Sequence, residues 1–524
     1  MEKNNIKKVI LIVLDGFGLG PPGPGNPVTS ENMPFLSNLI SSYKSSSLVA
    51  AGLVVGLEWG TYGNSEVGHS AIGTGRVVVQ SLARINAEIR DRKFFKNESF
   101  LKVLEHAKAN KSKVHIIGCV STGGIHSHEG HLVGLLNFFA ENKFPAVCVH
   151  MITDGEDSAP QEGIKSLERV GEALSKSGAK IVSIAGRNYT MDRVKNWPLI
   201  KKSWDVMVHG KGEQFKSAET YIKESYKKET YDADIVPAAL ENDKEEKTKI
   251  EDGDGLIFFN FRNDRMKQIV SSFVFEDFKE FDRGQAPKNL LVATMTNYND
   301  DFKVLVAYPP QVIENTLGGV ISKEGLTQLR LAESEKEAHV TNFFNGGKLD
   351  AYPGEERIIA TSQALLGKGY LEHPQMSAEK ITENVLNNID KPYSLIAINF
   401  ANSDMIAHTG NIPALTKALH VVDESLKKII TSVDLSKTAV VITADHGNAE
   451  EMIDPATKEP DTQHSTVNVP VILVTEGCKA ESEKNLDNLF RENTGGSLID
   501  VAPTVLHLLG IKKPDGMSGS SLIN

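Results

Sequence analysis

Three aspartates stand at or just beyond the ends of short apolar runs: Asp15 after VILIVL, Asp404 after LIAINFANS and Asp445 after AVVITA. In open α/β sheets the ligand crevice lies at the carboxyl ends of the strands, so carboxylates hundreds of residues apart can meet there. Each aspartate taken singly could equally cap a helix. Imidazoles accompany two of these positions, and a third stands apart: His408 follows Asp404 at i, i+4 in DMIAH, His446 follows Asp445 directly in TADHGN, and His464 lies in TQHSTVNVP before another apolar run. Carboxylate with imidazole suits manganese or zinc. Cysteines occur only at 119, 148 and 478, without CxxC spacing, which excludes a thiolate zinc site and a disulfide framework.

A hydroxyl joins this set in GNSEVGH (63–69), where Ser65 stands at an expected helix start between Gly63 and Gly68. Ser65-Glu66 before an apolar residue reads either as a capping box or as a nucleophile. A serine needs a base or a metal to become reactive, and the Asp/His set offers the metal. No GxSxG elbow is present, so metal-activated attack on phosphorus is favoured over a Ser-His-Asp esterase.

The elements that must position these groups are continuous apolar runs at 7–15, 113–121, 146–154, 179–186, 255–261, 289–296, 393–400, 438–445 and 469–475. Runs of this kind suit parallel strands buried on both faces. Helix-like segments lie between them, as at 100–110 and 414–433, where apolar residues recur every three or four positions. The alternation predicts an α/β fold with more strands than one ordinary sheet needs. The Gly/Pro cluster LGPPGPGN (19–26) reads as a loop capping a sheet end, the charge-rich 241–255 as a solvated helix or loop, and the Pro-Pro of AYPPQV (307–312) as a stiff crossing segment.

The chain has 524 residues, 40% of them hydrophobic, and a formal net charge of −11. That length is enough for several cores, and the acidic balance argues against general nucleic-acid or anionic-membrane binding. The apolar run Val9–Leu14 is too short for a signal peptide core, and no stretch nears the roughly 20 residues needed to span a bilayer. A soluble cytoplasmic protein is expected.

DGFG (15–18), GNSEVGH (63–69), GGIHSHEGH (123–131), GRNYTMDR (186–193), FFNFRNDR (258–265), EKEAHVTNFFNGG (335–347), ANSDMIAHTGN (401–411) and TADHGNAE (443–450) closely resemble the cofactor-independent phosphoglycerate mutase family, a branch of the alkaline-phosphatase superfamily. The motifs keep the family's order. The resemblance implies two α/β domains: an alkaline-phosphatase-like domain of residues 1–79 and 312–524, and a phosphotransferase domain of residues 80–311 inserted through two hinges. It implies interconversion of 3-phosphoglycerate and 2-phosphoglycerate, a step of glycolysis and gluconeogenesis, by a monomer without 2,3-bisphosphoglycerate. Two divalent ions would be needed, manganese first, with zinc, cobalt or magnesium as alternatives. Asp404, His408 and His464 would hold one ion, and Asp15, Ser65, Asp445 and His446 the other. Ser65 would accept the phosphoryl group.

In the inserted domain the resemblance implies a substrate clamp of His126, Asp157, Arg187, Arg193, Arg262 and Arg265, joined by Lys336 from the other domain. Asp157 would act as acid and base, and domain closure would exclude water. Guanidinium groups suit a ligand bearing both a phosphate and a carboxylate. HSHEGH could alternatively be a metal site of its own. One position departs from the pattern: where the family has Asp-Gly-Arg-Asp, this chain reads Asp154-Gly155-Glu156-Asp157. Glu156 puts a carboxylate at a substrate-binding position, and losing one charge-assisted contact costs about 1.5–3 kcal/mol. No arginine lies within 155–165 to compensate. A phosphomonoester hydrolase, or a mutase with altered substrate preference, is therefore the alternative expectation.

Overall fold

The computed structural model describes residues 6–241, 248–311, 313–362 and 369–523. Residues 242–247 of the charge-rich segment, and Val312 after the Pro-Pro pair, lie outside the described residues. The chain divides into two compact units, one formed by the chain up to Gln80 and from Gln311 onward, the other by Ser81–Pro310.

The discontinuous unit is built on a sheet whose strands run in the order Glu355–Ala360, Thr327–Glu333, Tyr393–Phe400, Lys8–Leu14, Thr438–Thr443, Val469–Val474, Lys44–Val49 and Thr494–Ser497. Lys8–Leu14 lies at the centre, parallel to both neighbours, with Leu14 opposite Phe400 and Val13 opposite Thr443. This register brings three strand ends level, which is why the residues just beyond them meet. Residues 9–14 are buried on both faces, as a continuous apolar run requires. Val469–Val474 departs from the parallel expectation: it pairs antiparallel with both Thr438–Thr443 and Lys44–Val49. The Gly/Pro cluster is a loop within this unit, held by Asn26 Nδ2 donating to the carbonyls of Gly20 and Pro21.

The continuous unit has its own sheet, ordered Leu305–Tyr308, Leu291–Thr296, Gly255–Phe258, Val114–Cys119, Val147–Thr153, Lys180–Gly186, Ala238–Leu240 and Glu213–Phe215. The strands are parallel except that Lys180–Gly186 and Ala238–Leu240 run antiparallel. Cys119 pairs with Ile152, and Thr153 with Gly186, so Ser121, Asp154 and Arg187 emerge at one end of the sheet. The helix Glu98–Asn110 covers the first periodic segment read from sequence, and Ile412–Thr431 covers the second up to two residues short of its expected end at 433. Among the described residues no helix is long and apolar enough to cross a membrane.

A polar chain crosses the core of the continuous unit. Asp254 Oδ2 lies 3.1 Å from His115 Nε2, His115 Nδ1 lies 2.8 Å from His150 Nε2, and His150 Nδ1 lies 2.7 Å from the Ser183 hydroxyl. Burial pushes His150 well below the usual imidazole range, lowers His115 against the pull of Asp254, and takes His131, buried elsewhere in the same unit, to about 3. The unfolded chain binds these protons near pH 6.5 and the folded chain does not, so stability is whole above about 6.5 and declines below it. Each such histidine contributes a slope of up to about 1.4 kcal/mol per pH unit. Urea unfolding should therefore lose about 2–4 kcal/mol between pH 6.5 and 5. A midpoint unmoved over that interval would refute neutral burial of these rings.

Candidate active site

Ser65 is the first residue of the helix Ser65–Thr74. The capping reading does not hold for it, because Asn64 is the cap: its side-chain oxygen accepts from the Val67 N–H at 3.0 Å. The Ser65 hydroxyl is left to face a polar pocket. Its Oγ donates to Asp15 Oδ1 at 3.1 Å, accepts from Lys336 Nζ at 2.8 Å and lies 2.9 Å from His446 Nε2. Close approach of this helix depends on Gly68, where a Cβ would sit 2.4 Å from the carbonyl oxygen of Asp445.

The three strand-end aspartates do converge. Lys336 Nζ lies 2.7 Å from Asp15 Oδ1 and 2.9 Å from Asp404 Oδ2, joining two of them. His408 Nε2 and His464 Nε2 are each 3.3 Å from Asp404 Oδ1 and 3.1 Å from one another. His446 Nε2 is 3.5 Å from Asp15 Oδ1 and 3.6 Å from Asp445 Oδ2. All seven residues expected to bind metal thus lie in one neighbourhood of one unit, and Lys336 lies among them.

Three carboxylates in a buried pocket set the electrostatics. Burial alone would raise the Asp15 carboxyl, but the Lys336 ammonium and His446 hold it well below the usual range. Asp404 is held well below in the same way, by Lys336, His408 and His464. Burial would depress Lys336, yet Asp15, Asp404 and Asp445 push its ammonium above its ordinary value. His446, also opposed by burial, is pushed up to about 10 by Asp445, Asp15 and Asp404.

The donor set fits divalent cations. Carboxylate and imidazole ligand atoms gather within 4.8 Å of one another in two groups, Asp404 with His446 and His464, and Asp15 with His69 and Asp445. Asp445 Oδ2 is buried and makes no hydrogen bond, since the nearby His69 Nδ1 bonds the Ser65 carbonyl oxygen at 2.9 Å, and this leaves a lone pair for an ion. Hard oxygen and borderline nitrogen donors without sulfur suit manganese, zinc, cobalt or magnesium. His69 is the residue that sequence reasoning left unassigned, although it lies within GNSEVGH. It sits at i+4 from Ser65 on the same helix face, with Nδ1 3.1 Å from Asp445 Oδ2, and that spacing was the available signal. Asn399 and Asn448, which donate to Asp15 Oδ2 at 2.6 Å and to Asp404 Oδ1 at 2.9 Å, carried no such signal.

In the continuous unit, Arg187 is buried with its Nη1 2.5 Å from Asp154 Oδ1 and 2.7 Å from Asp157 Oδ2. Its Nη2 lies 3.3 Å from Glu156 Oε2, and Arg265 Nη2 lies 3.8 Å from the same oxygen. Glu156 therefore has basic neighbours after all, supplied by other strands and loops and not by its own segment. Asp264, unassigned from sequence, gathers the remainder: Arg193 Nη1 is at 3.0 Å, Arg262 Nε at 3.4 Å and His126 Nδ1 at 3.3 Å. His126 Nε2 is in turn 3.9 Å from Asp157, which links the two halves of the cluster. The histidines of HSHEGH do not share one centre. His128 caps the following helix and His131 pairs with Asn86 at 3.0 Å.

Two families match successive parts of the chain: the BPG-independent PGAM N-terminus over residues 85–300 and Sulfatase over residues 339–511. The 2,3-bisphosphoglycerate-independent phosphoglycerate mutase of Clostridium perfringens is 40% identical over 521 residues, covering 99% of both chains. The chain belongs to the 2,3-bisphosphoglycerate-independent phosphoglycerate mutase family. The enzymes of that name from Acetivibrio thermocellus and Clostridium beijerinckii are 40% and 41% identical, again with 99% of both chains covered. The crystal structure of Leishmania mexicana phosphoglycerate mutase at low cobalt concentration is similar at a TM-score of 0.70 and 27% identity, covering 99% of this chain and 98% of that one. As a member of this family the chain is a divalent-metal-dependent enzyme with no requirement for 2,3-bisphosphoglycerate. Its two units are the mutase N-terminal type and the alkaline-phosphatase-like type.

Proposed function

We propose that this chain interconverts 3-phosphoglycerate and 2-phosphoglycerate through a phosphoserine at Ser65. The observation that carries the reading is the setting of the Ser65 hydroxyl, held at once by Asp15, Lys336 and His446 within a chain related end to end to the mutases. Divalent ions held by Asp404, His408 and His464, and by Asp15, Ser65, Asp445 and His446, with His69 as a further donor, would neutralise phosphoryl oxygens and favour the serine alkoxide. Manganese is the ion proposed first, in a monomeric cytoplasmic enzyme.

The chain's own groups carry the steps. Ser65 Oγ releases its proton to solvent and attacks phosphorus as the alkoxide, the form in which it later leaves; the bond from phosphorus to the glycerate oxygen breaks, and that oxygen takes a proton from Asp157. Lys336 holds the Ser65 oxygen as charge develops on it. Arg187, Arg193, Arg262, Arg265 and His126 keep the glycerate, whose other hydroxyl then returns its proton to Asp157 and attacks the phosphoserine. Ser65 is regenerated. Retention of the glycerate separates a mutase from a phosphatase, because water reaching the phosphoserine would release inorganic phosphate.

Phosphorus NMR of 3-phosphoglycerate with enzyme and manganese should show the 2-phosphate signal without added bisphosphoglycerate. A chelator should abolish its formation, and manganese should restore it. Inorganic phosphate accumulating in place of the isomer would establish the hydrolase instead.

A further inference from the structure

The anion-binding cluster of the continuous unit already contains an anion. Glu156 Oε2 sits 3.3 Å from Arg187 Nη2 and 3.8 Å from Arg265 Nη2, so one carboxylate oxygen bridges two guanidinium groups. That is the position an oxygen of a ligand carboxylate or phosphate takes between paired arginines. The opposite side of Arg187 is committed, since Nη1 holds both Asp154 and Asp157. Nη2 is the edge that faces Glu156.

The three carboxylates differ in how firmly they are fixed. Asp154 is buried, takes the Ser121 hydroxyl at 2.5 Å and accepts the backbone N–H groups of Glu156 and Asp157. Those bonds anchor the turn. The Glu156 side chain is 42% exposed and holds the guanidinium groups only by longer contacts, so it can leave without disturbing the backbone.

We propose that Glu156 is a displaceable internal competitor that sets the affinity of this site for anionic ligands. Resting on the reading of Arg187 and Arg265 as substrate-holding residues, the proposal adds that a phosphoglycerate must replace the Glu156 carboxylate to reach them. Glu156 acts through the arginines and takes no part in the chemistry.

The test uses the full chain with manganese in a Ser65→Ala background, where bound 3-phosphoglycerate cannot turn over. Adding Glu156→Gln, which keeps the side-chain volume and removes the charge, should lower the dissociation constant of 3-phosphoglycerate by roughly three- to tenfold. Glu156→Ala should lower it likewise, and the gain should shrink at high salt. In the chain with Ser65 intact, Glu156→Gln should lower KM, whereas mere loosening of the turn would raise KM and lower kcat. A dissociation constant unchanged or raised in both variants overturns the proposal. Arg265→Ala tests the underlying reading separately: weaker binding in that variant supports substrate holding, whatever the Glu156 variants do.

Discussion

Ser65→Ala is expected to remove isomerase turnover by about four orders of magnitude or more, the scale of losing a covalent nucleophile. The fold should survive, because Asn64 and not Ser65 caps the helix and the hydroxyl makes no backbone contact that holds it. Thermal melting of the variant should match that of the parent within a few degrees. Acid-quenched enzyme incubated with phosphoglycerate should carry phosphate on serine in the parent and none in the variant. A variant turning over at the parent rate would remove Ser65 from the mechanism altogether.

Lys336→Met should have the next largest effect, and on two quantities at once. The ammonium is buried between Asp15 and Asp404, and removing one partner of such a set leaves charges uncompensated at a cost of about 3–5 kcal/mol. Part of that cost is relieved when one carboxylate takes up a proton, and more when divalent ions bind. The urea midpoint of the variant should therefore fall well below the parent in chelator, and the gap should narrow with manganese. Turnover should drop about 10²-fold or more even with metal, since the donor aimed at the Ser65 oxygen is gone. Equal stability of the two proteins in chelator would refute the proposed balance of charge.

The apolar runs made the strands legible. All nine segments read from sequence are strands, because a run of Val, Ile and Leu between turn residues has few other ways to bury both faces. Strands such as Thr327–Glu333 and Lys44–Val49 were not legible: TQLRLAE and KSSSLV carry polar residues that only the neighbouring layers accommodate. Antiparallel pairing of Val469–Val474 was equally hidden, since an apolar run carries no direction.

The site divides in the same way. Residue type and position at strand ends picked out Asp15, Asp404 and Asp445, and their convergence follows from the level register of three parallel strands. His69, Asp154 and Asp264 escaped because partnership is a property of space: each lies inside a motif but gains its meaning from a group on another element. Glu156 shows the limit most clearly. Sequence determined its identity and the sign of its charge, and its own segment 155–165 holds no arginine. Tertiary structure decided its partners, because Arg187 and Arg265 follow different strands of one sheet, and the parallel register brings their guanidinium groups to its carboxylate.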